Sequence, residues 1–133
     1  MKRINIVGFT CVWMALLLLG AGAGAAWAQE PLKLGASISL SGTYAKPGKY
    51  TQEGYLLCEK ELNDRGGLLG RKIRFVIYDD KSDPGTAVRL YERLLTEDKV
   101  DLVMGPYSSP ITTAASTVSE KYKKVMMASL AAP

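Results

Sequence analysis

The sequence predicts an α/β fold in which a parallel β-sheet is flanked by helices, in the order βαβαβαβ. Short apolar, β-prone segments alternate along the chain with amphipathic stretches of roughly 12 to 18 residues. Clusters of Gly, Pro, Ser and Asp separate the two kinds of segment. Such regular alternation is typical of parallel strands that are joined by right-handed crossover helices.

The first half of the predicted sheet consists of two strands joined by a helix. Residues 32–40 alternate in polarity and predict the first strand, whereas the Gly, Pro and Ser content of residues 41–48 predicts a loop. The next helix is predicted by an apolar stripe and ends at residues 65–67, where two glycines permit a left-handed turn. The stripe consists of Thr51, Tyr55, Cys58 and Leu62. Cys58 is therefore expected in the core.

The second half of the sheet repeats this arrangement. Residues 72–78 predict the second strand, and Asp83 followed by Pro84 predicts a capped helix start. The helix that follows carries an apolar stripe at i, i+3, i+4, i+7 and i+8, formed by Ala87, Leu90, Tyr91, Leu94 and Leu95. Residues 100–104 predict the third strand, and residues 125–130 the fourth.

A candidate anion site lies between the third strand and the third helix. Pro110 suits the first helical position because its missing N–H would have no partner there, which makes Ser109 the expected N-cap. A tight Gly-Pro turn followed by serines at a helix start forms a cradle for a carboxylate or phosphate. The alternative is a capped helix that binds nothing. In parallel sheets ligands bind beyond the carboxyl ends of strands, where residues 41–48, 105–109 and 129–133 are expected to meet.

Asp79 and Asp80 follow the second strand on the same rim. Adjacent carboxylates are compatible with a metal ion or a ribose hydroxyl, but without further acidic ligands they are more typical of a loop start or a helix-entry salt bridge. No Gly-x-Gly-x-x-Gly motif follows the first strand, and no phosphate-loop motif is present. The sequence therefore does not indicate nucleotide chemistry.

The composition argues against an enzyme. The chain contains no histidine, which excludes Ser-His and Cys-His catalysis and His-based metal sites. Basic residues are scattered and are not interleaved with stacking aromatics, so no nucleic-acid surface is expected. Of the two cysteines, only Cys58 lies outside the amino-terminal segment, which leaves it without an internal disulfide partner. We expect neither a cofactor nor a metal.

Residues 1–28 predict a signal peptide. A basic start precedes a charge-free apolar run, and Ala-Trp-Ala at residues 26–28 forms a small-x-small cleavage signature. The competing interpretation is an uncleaved membrane anchor, because the run is nearly long enough to span a bilayer. Cleavage would leave residues 29–133 as an exported, periplasmic chain without a membrane span.

Four motifs carry a family resemblance. They are Ser39-Leu40-Ser41-Gly42, the run from Asn63 to Ile73 (NDRGGLLGRKI), the run from Tyr78 to Pro84 (YDDKSDP), and Gly105-Pro106-Tyr107-Ser108-Ser109. In this order they resemble the amino-terminal lobe of type I periplasmic binding proteins, in particular the leucine/isoleucine/valine-binding receptors of ABC transporters. The resemblance covers residues 32–133. It implies that residues 29–133 form an incomplete amino-terminal lobe.

The resemblance also implies which residues meet the ligand. The family's serine that binds the ligand's α-carboxylate matches Ser109, with Ser108 and Tyr107 on the same turn. Backbone groups after the fourth strand match Ala131 and Ala132. Three further positions bear on this match: Pro133 replaces a threonine of the family, Pro47 stands in the first loop where an aromatic residue is common, and Tyr44 is near enough to substitute for that residue.

The implied function is capture of a small amino-acid-like solute, branched-chain or hydrophobic, and its delivery to an ABC permease in the inner membrane. Alternatives are a ligand-binding module of a signalling receptor, an exported enzyme on a similar sheet, and a truncated remnant without independent activity. Because family receptors close two lobes around the ligand, we expect residues 29–133 alone to be aggregation-prone or loosely folded and to bind ligand poorly.

Overall fold

The computed structural model describes residues 29–128, in which four strands and three helices follow the predicted order. The strands are β1 (Leu32–Ile38), β2 (Ile73–Asp79), β3 (Leu102–Met104) and β4 (Met126–Met127). The helices are α1 (Ala45–Asp64), α2 (Pro84–Thr96) and α3 (Ser109–Lys121). The predicted signal peptide, residues 129–130 of the predicted fourth strand, and Ala131, Ala132 and Pro133 lie outside the described residues.

All four strands are parallel and lie in the order β2-β1-β3-β4. Strand β1 pairs with β2 along its whole length, from Leu32 opposite Ile73 to Ile38 opposite Asp79. Its other edge pairs with β3, where Gly35 lies opposite Val103. The chain thus leaves β1 in one direction to form β2 and later returns to the other side of β1 to form β3.

The helices lie on both faces of the sheet. A buried cluster contains Tyr91 and Leu94 of α2, Ala115 and Val118 of α3, and Val103 of β3. Consecutive side chains on a strand point to opposite faces of the sheet, so two neighbouring residues of β2 show which helix covers each face. Val76 packs against this cluster, whereas Phe75 stacks on Tyr55 of α1 with ring centroids 5.0 Å apart. Helix α1 therefore covers the face opposite α2 and α3.

Helix α1 begins earlier than the sequence indicates. The prediction that residues 41–48 form a loop is wrong from Ala45 onward, because Pro47 and Gly48 lie in the first helical turn. Proline is tolerated there, since the N–H groups of the first turn have no intrahelical partner. Gly48 is required for close packing, because a Cβ at this position would lie 1.9 Å from the carbonyl oxygen of Ser39.

The outer edge of β2 is covered by side chains of α1. Asn63 accepts a hydrogen bond from the Ile73 amide and donates one to its carbonyl, each 2.8 Å long. Glu59 accepts from the Phe75 amide at 2.7 Å. A free strand edge is a template for pairing with another chain. These two polar side chains occupy the backbone groups that such pairing would use.

The expectation that Cys58 lies in the core is wrong, because it is exposed. Thr51 and Tyr55 of the same predicted stripe do face the sheet. The buried stripe of α1 is narrow because the helix covers only the β1–β2 half of its face. On that face Met127 of β4 is 61% exposed, and Leu57 of α1 is 57% exposed.

Local signals that cap α1 and α2 are confirmed. Asp83 is the N-cap of α2 and accepts a 2.6 Å hydrogen bond from the Thr86 amide, with Pro84 at the first helical position. Helix α1 ends at Asp64, and Gly66 and Gly67 both have positive φ. Within residues 29–128, none of the helices is both long enough and apolar enough to cross a membrane.

Candidate functional site

The space between the connections that follow β1 and β3, called the crevice, is where this sheet topology is expected to bind a ligand. The first loop (residues 39–44) leads from β1 to α1 on one face of the sheet, and the third loop (residues 105–108) leads from β3 to α3 on the other. Because β1 and β3 are neighbours in the sheet, the order in which strands are added reverses at this point. Open α/β sheets bind ligands at such a switch point, beyond the carboxyl ends of the strands.

The third loop enters helix α3 one residue earlier than predicted. Ser108, not Ser109, is the N-cap, with an extended backbone at φ −100° and ψ 149°, and Pro110 occupies the second helical position. The carbonyl of Ser108 accepts the first intrahelical bond, from the Thr112 amide at 2.8 Å. Its side chain makes no capping hydrogen bond. Either serine suits a cap, so local sequence could not decide between them.

The two serines have different environments. The hydroxyl oxygen of Ser108 is sealed from solvent and has no hydrogen-bond partner within the described residues. Ser109 is only half-buried and stands at the first helical position, where the N–H groups of the first turn point out of the helix. A solute in the crevice would therefore meet the Ser109 side chain before that of Ser108. The positive end of the helix dipole lies at the same place.

Tyrosine hydroxyls support the third loop from both faces of the sheet. Tyr91 of α2 is fully buried and donates to the carbonyl oxygen of Met104. Tyr55 of α1 donates to the carbonyl oxygen of Gly105 at 3.3 Å. Burial raises the pKa of the Tyr91 hydroxyl far above its ordinary value, so it remains a donor. The position of Tyr91 in the apolar stripe of α2 does not indicate this second use of its hydroxyl.

The first loop contributes an aromatic ring to the crevice. Tyr44 and Tyr107 meet across it with ring centroids 5.7 Å apart and planes inclined by 52°. The structure thus brings together Tyr44, Tyr107, Ser108 and Ser109. Pro47 is half-buried in the first turn of α1, three residues beyond Tyr44. No side-chain interaction that would link Pro47 to the third loop is observed among the described residues.

Asp79 organises the backbone of the first loop. Its Oδ1 atom accepts hydrogen bonds from the amides of Leu40 (2.9 Å), Ser41 (3.2 Å) and Lys81 (2.9 Å). Its Oδ2 atom accepts from the Ser41 hydroxyl at 2.7 Å. Burial raises the pKa of Asp79, but these four hydrogen bonds outweigh it and hold the pKa below its ordinary value. The carboxylate therefore stays ionised at neutral pH.

Asp80 is fully buried directly beneath this loop. Its Oδ1 accepts from the Ser39 hydroxyl at 2.6 Å and the Ser82 amide at 2.9 Å, and its Oδ2 accepts from the Ser37 hydroxyl at 2.9 Å. Within the described residues neither Asp79 nor Asp80 forms a salt bridge. Of the two structural interpretations, the loop start is confirmed, because β2 ends at Asp79, and the helix-entry salt bridge is wrong, because hydroxyl and amide donors from β1 and the loops surround both carboxylates.

The second loop (residues 80–83) is packed against the first. Ser82 donates through its hydroxyl to the carbonyl of Ser41 at 2.8 Å and accepts from the Tyr44 amide at 3.0 Å. Gly42 has φ +79°, and a Cβ there would lie 2.6 Å from the carbonyl oxygen of Lys81. Across residues 29–128, no three His, Cys, Asp or Glu side chains come together in a way that could hold a metal ion.

Comparison with known proteins gives the class of this chain. The family model described as periplasmic binding protein matches residues 31–132. The chain therefore belongs to the periplasmic binding protein family, which consists of solute-binding proteins rather than enzymes. This confirms the resemblance that the sequence motifs carry.

Two of the relatives carry names that refer to branched-chain amino acids. The chain is similar to Leu/Ile/Val-binding protein homolog 1 of Brucella abortus, with 36% identity over 105 residues, which are 79% of this chain and 28% of the relative. It is also similar in structure to the branched-chain amino acid substrate-binding protein LivJ of Streptococcus pneumoniae, solved with isoleucine. That match has a TM-score of 0.75 and 32% identity, and covers 77% of this chain and 30% of LivJ.

Another solved structure is similar to this chain but holds a different ligand. It is an ABC-transporter solute-binding protein of Rhodopseudomonas palustris in complex with 3,4-dihydroxybenzoic acid. The TM-score is 0.69 and the identity 26%, over 77% of this chain and 27% of that protein. The chain thus spans less than a third of the length of the relatives that it matches.

Proposed function

We propose that this chain forms one wall of the ligand site of a solute-binding protein that captures a small carboxylate-bearing solute for an ABC permease. The observation that carries the proposal is the amino terminus of α3, which begins at Ser109 beside the switch-point crevice. A helix start combines outward N–H groups with the positive end of the dipole, which favours a bound anion. Ser109 adds a hydroxyl at the same point.

The ligands of the two solved relatives support a carboxylate as the group recognised. Isoleucine and 3,4-dihydroxybenzoic acid differ in their bodies, but each carries a carboxylate. A fold that binds both ligands needs one site for the carboxylate that they share and a second region that differs with the body of the ligand. In this chain the start of α3 is suited to be that anchor, with the backbone at Ala131 and Ala132 as its proposed partner.

The aromatic pair favours an apolar body on the solute. Tyr44 and Tyr107 present ring surface at the crevice, against which a branched aliphatic or aromatic group would bury its area. The rim carboxylates Asp79 and Asp80 are not available for an ammonium group, since hydrogen bonds already occupy their oxygens. We therefore propose that polypeptide opposite this wall binds any ammonium group.

The proposed location follows from the same family. Periplasmic binding proteins act outside the cytoplasm, and we propose that residues 1–28 direct export and are then removed. The partner would be the permease of an ABC transporter in the inner membrane. Because the relatives are more than twice as long as this chain, we assign capture to the full natural product of the gene.

The test compares a carboxylate ligand with its neutral analogue. Calorimetry on the natural gene product would measure the affinity for isoleucine and for isoleucinamide, and likewise for 3,4-dihydroxybenzoate and catechol. We expect loss of the carboxylate to weaken binding by about 100-fold or more, because hydrogen bonds to a charged group each contribute about 1.5–3 kcal/mol. Equal affinity for acid and neutral analogue would refute the proposed anchor.

A further inference from the structure

We propose that Asp79, Asp80 and Ser82 are positioning residues for the ligand site: they hold the first loop so that Tyr44 faces Tyr107, without touching the ligand themselves. This inference rests on the proposed function of the crevice. It assigns a role to the second loop, which contacts the first loop through the Ser82 hydroxyl.

The first step is that Asp79 sets the path of the chain beyond β1. One carboxylate oxygen collects three amide N–H groups, two from the first loop at Leu40 and Ser41 and one from the second at Lys81. Hydrogen bonds to an ionised acceptor are about twice as strong as neutral ones. The carboxylate therefore joins two loops that are separated by some 40 residues in the chain.

The second step is that the acidic pair holds the second loop in an unfavourable conformation. Lys81 and Ser82 both have left-handed backbones, with φ of 57° and 62°. Such conformations cost non-glycine residues about 1 kcal/mol or more each, and persist when surrounding contacts over-determine them. Here the Lys81 amide is bound by Asp79 and the Ser82 amide by Asp80, each at 2.9 Å.

The third step is that this conformation delivers the Ser82 side chain to the first loop. Its hydroxyl donates to the carbonyl of Ser41 and accepts from the amide of Tyr44, so it bridges both ends of the turn. Gly42 lies between these contacts and permits the close approach, with its hypothetical Cβ 2.8 Å from the Ser82 hydroxyl. The Tyr44 backbone, and hence the ring opposite Tyr107, is fixed by Ser82.

The hydrogen bonds of Asp79 and Asp80 indicate that these residues position the loops and do not bind the ligand. Asp80 is fully buried beneath the loops, and its two oxygens accept three hydrogen bonds. Asp79 accepts four. Both carboxylates thus act through the backbone that they order.

The test uses hydrogen exchange of residues 40–44 in the natural gene product without ligand. Asp79→Ala removes every acceptor, and we expect at least a 10-fold faster exchange of this segment. Asp79→Asn keeps an amide oxygen for the three N–H groups, so it should restore most of the protection. Asp83→Ala is the matched control, because Asp83 caps α2 through Thr86 and does not contact the first loop. It should speed exchange only at the start of α2.

A second variant keeps the inference testable if Asp79→Ala does not fold. Ser82→Ala leaves both carboxylates in place and removes only the bridge to Ser41 and Tyr44. We expect it to speed exchange of residues 40–44 and to weaken isoleucine binding by about 3- to 10-fold. The inference is overturned if exchange of that segment matches the Asp83→Ala control in every folded variant. Altered exchange without any isoleucine binding by the parent protein would count against the proposed function instead.

Discussion

The first and third loops face each other across the crevice, but they are held in opposite ways. In the first loop, Asp79 and Ser82 engage the amides of Leu40, Ser41 and Tyr44 and the carbonyl of Ser41, whereas the Tyr44 ring lies against Tyr107. The third loop is held at the carbonyl oxygen of Gly105, which accepts from Tyr55, and at that of the preceding residue Met104 at the end of β3, which accepts from Tyr91.

This difference indicates that the two loops contact different parts of a ligand. The Gly105 amide donates to the Met127 carbonyl at 2.8 Å and Pro106 has no N–H, so the donors on this side of the crevice are those of the first turn of α3, at the positive end of its dipole. In the first loop, the N–H groups that bond to Asp79 and Ser82 cannot bind a ligand, so this loop contacts a ligand mainly through side-chain surface. We infer that the third loop binds the polar head of the solute and that the first loop selects its apolar body.

The largest loss of stability is expected when the buried acceptor beneath the first loop, the Asp80 carboxylate, is removed. Asp80→Ala leaves the hydroxyls of Ser37 and Ser39 and the amide of Ser82 without their acceptor in a fully buried site. We expect the free energy of unfolding to fall by about 3 kcal/mol, because each buried unsatisfied group costs about 1–3 kcal/mol. Urea denaturation would measure the change.

The control for this variant is an exposed aspartate. Asp64 pairs with Lys60 at 2.6 Å on the surface of α1, with 64% of its side chain exposed. Exposed ion pairs are screened by solvent and contribute little to stability, so Asp64→Ala should have little effect. If Asp80→Ala were as mild as Asp64→Ala, the network beneath the first loop would not be a major support of the fold.

A smaller effect is expected from the corresponding support of the third loop. Tyr91→Phe removes the hydroxyl donor to the Met104 carbonyl and leaves the ring in the core. We expect the free energy of unfolding to fall by about 1–2 kcal/mol, and amide exchange to rise at residues 105–108 but not at 40–44. Urea denaturation combined with hydrogen-exchange mass spectrometry would measure both.

The matched control is Tyr78→Phe, which removes a hydroxyl bonded to Asp98 at 3.0 Å near the start of β1. It should leave exchange of both crevice loops unchanged. A rise in exchange at residues 40–44 in Tyr91→Phe would show that the two loops share one support, contrary to the comparison.

The sequence was sufficient for features that depend on local signals. The order of strands and helices follows from alternating hydrophobic patterns, and the start of α2 follows from Asp83 and Pro84. The end of α1 follows from Gly66 and Gly67. Each of these signals acts over a few neighbouring residues, so tertiary contacts did not need to be known.

Features that depend on distant partners were beyond local reasoning. Apart from the amides of Lys81 and Ser82, the partners of Asp79 and Asp80 lie about 40 residues earlier in the chain, so no local motif indicates that hydroxyls and amides surround them. The start of α1 depends on close packing of Gly48 against Ser39. Cys58 is exposed because the helix covers only part of the sheet, which its hydrophobic stripe cannot indicate.

The site itself was predicted only in part. The sequence motifs indicate Ser109, Ser108, Tyr107 and Tyr44, and the structure brings these four residues together at the crevice. The assignment of the N-cap was one residue too late, because consecutive serines satisfy the same local preference. The role of each serine toward a ligand stays a prediction, as do the roles of Pro47, Ala131 and Ala132.

The most direct test of the central claim is the affinity of Ser109→Ala for isoleucine, measured by calorimetry on the natural gene product. Ser116→Ala is the matched control, because Ser116 lies exposed on the same helix and bonds only to the carbonyl of Thr113 among the described residues. We predict a loss of about 10- to 100-fold for Ser109→Ala and no change for Ser116→Ala. If Ser109→Ala bound isoleucine as tightly as the parent protein does, the proposed role of the third loop would be contradicted.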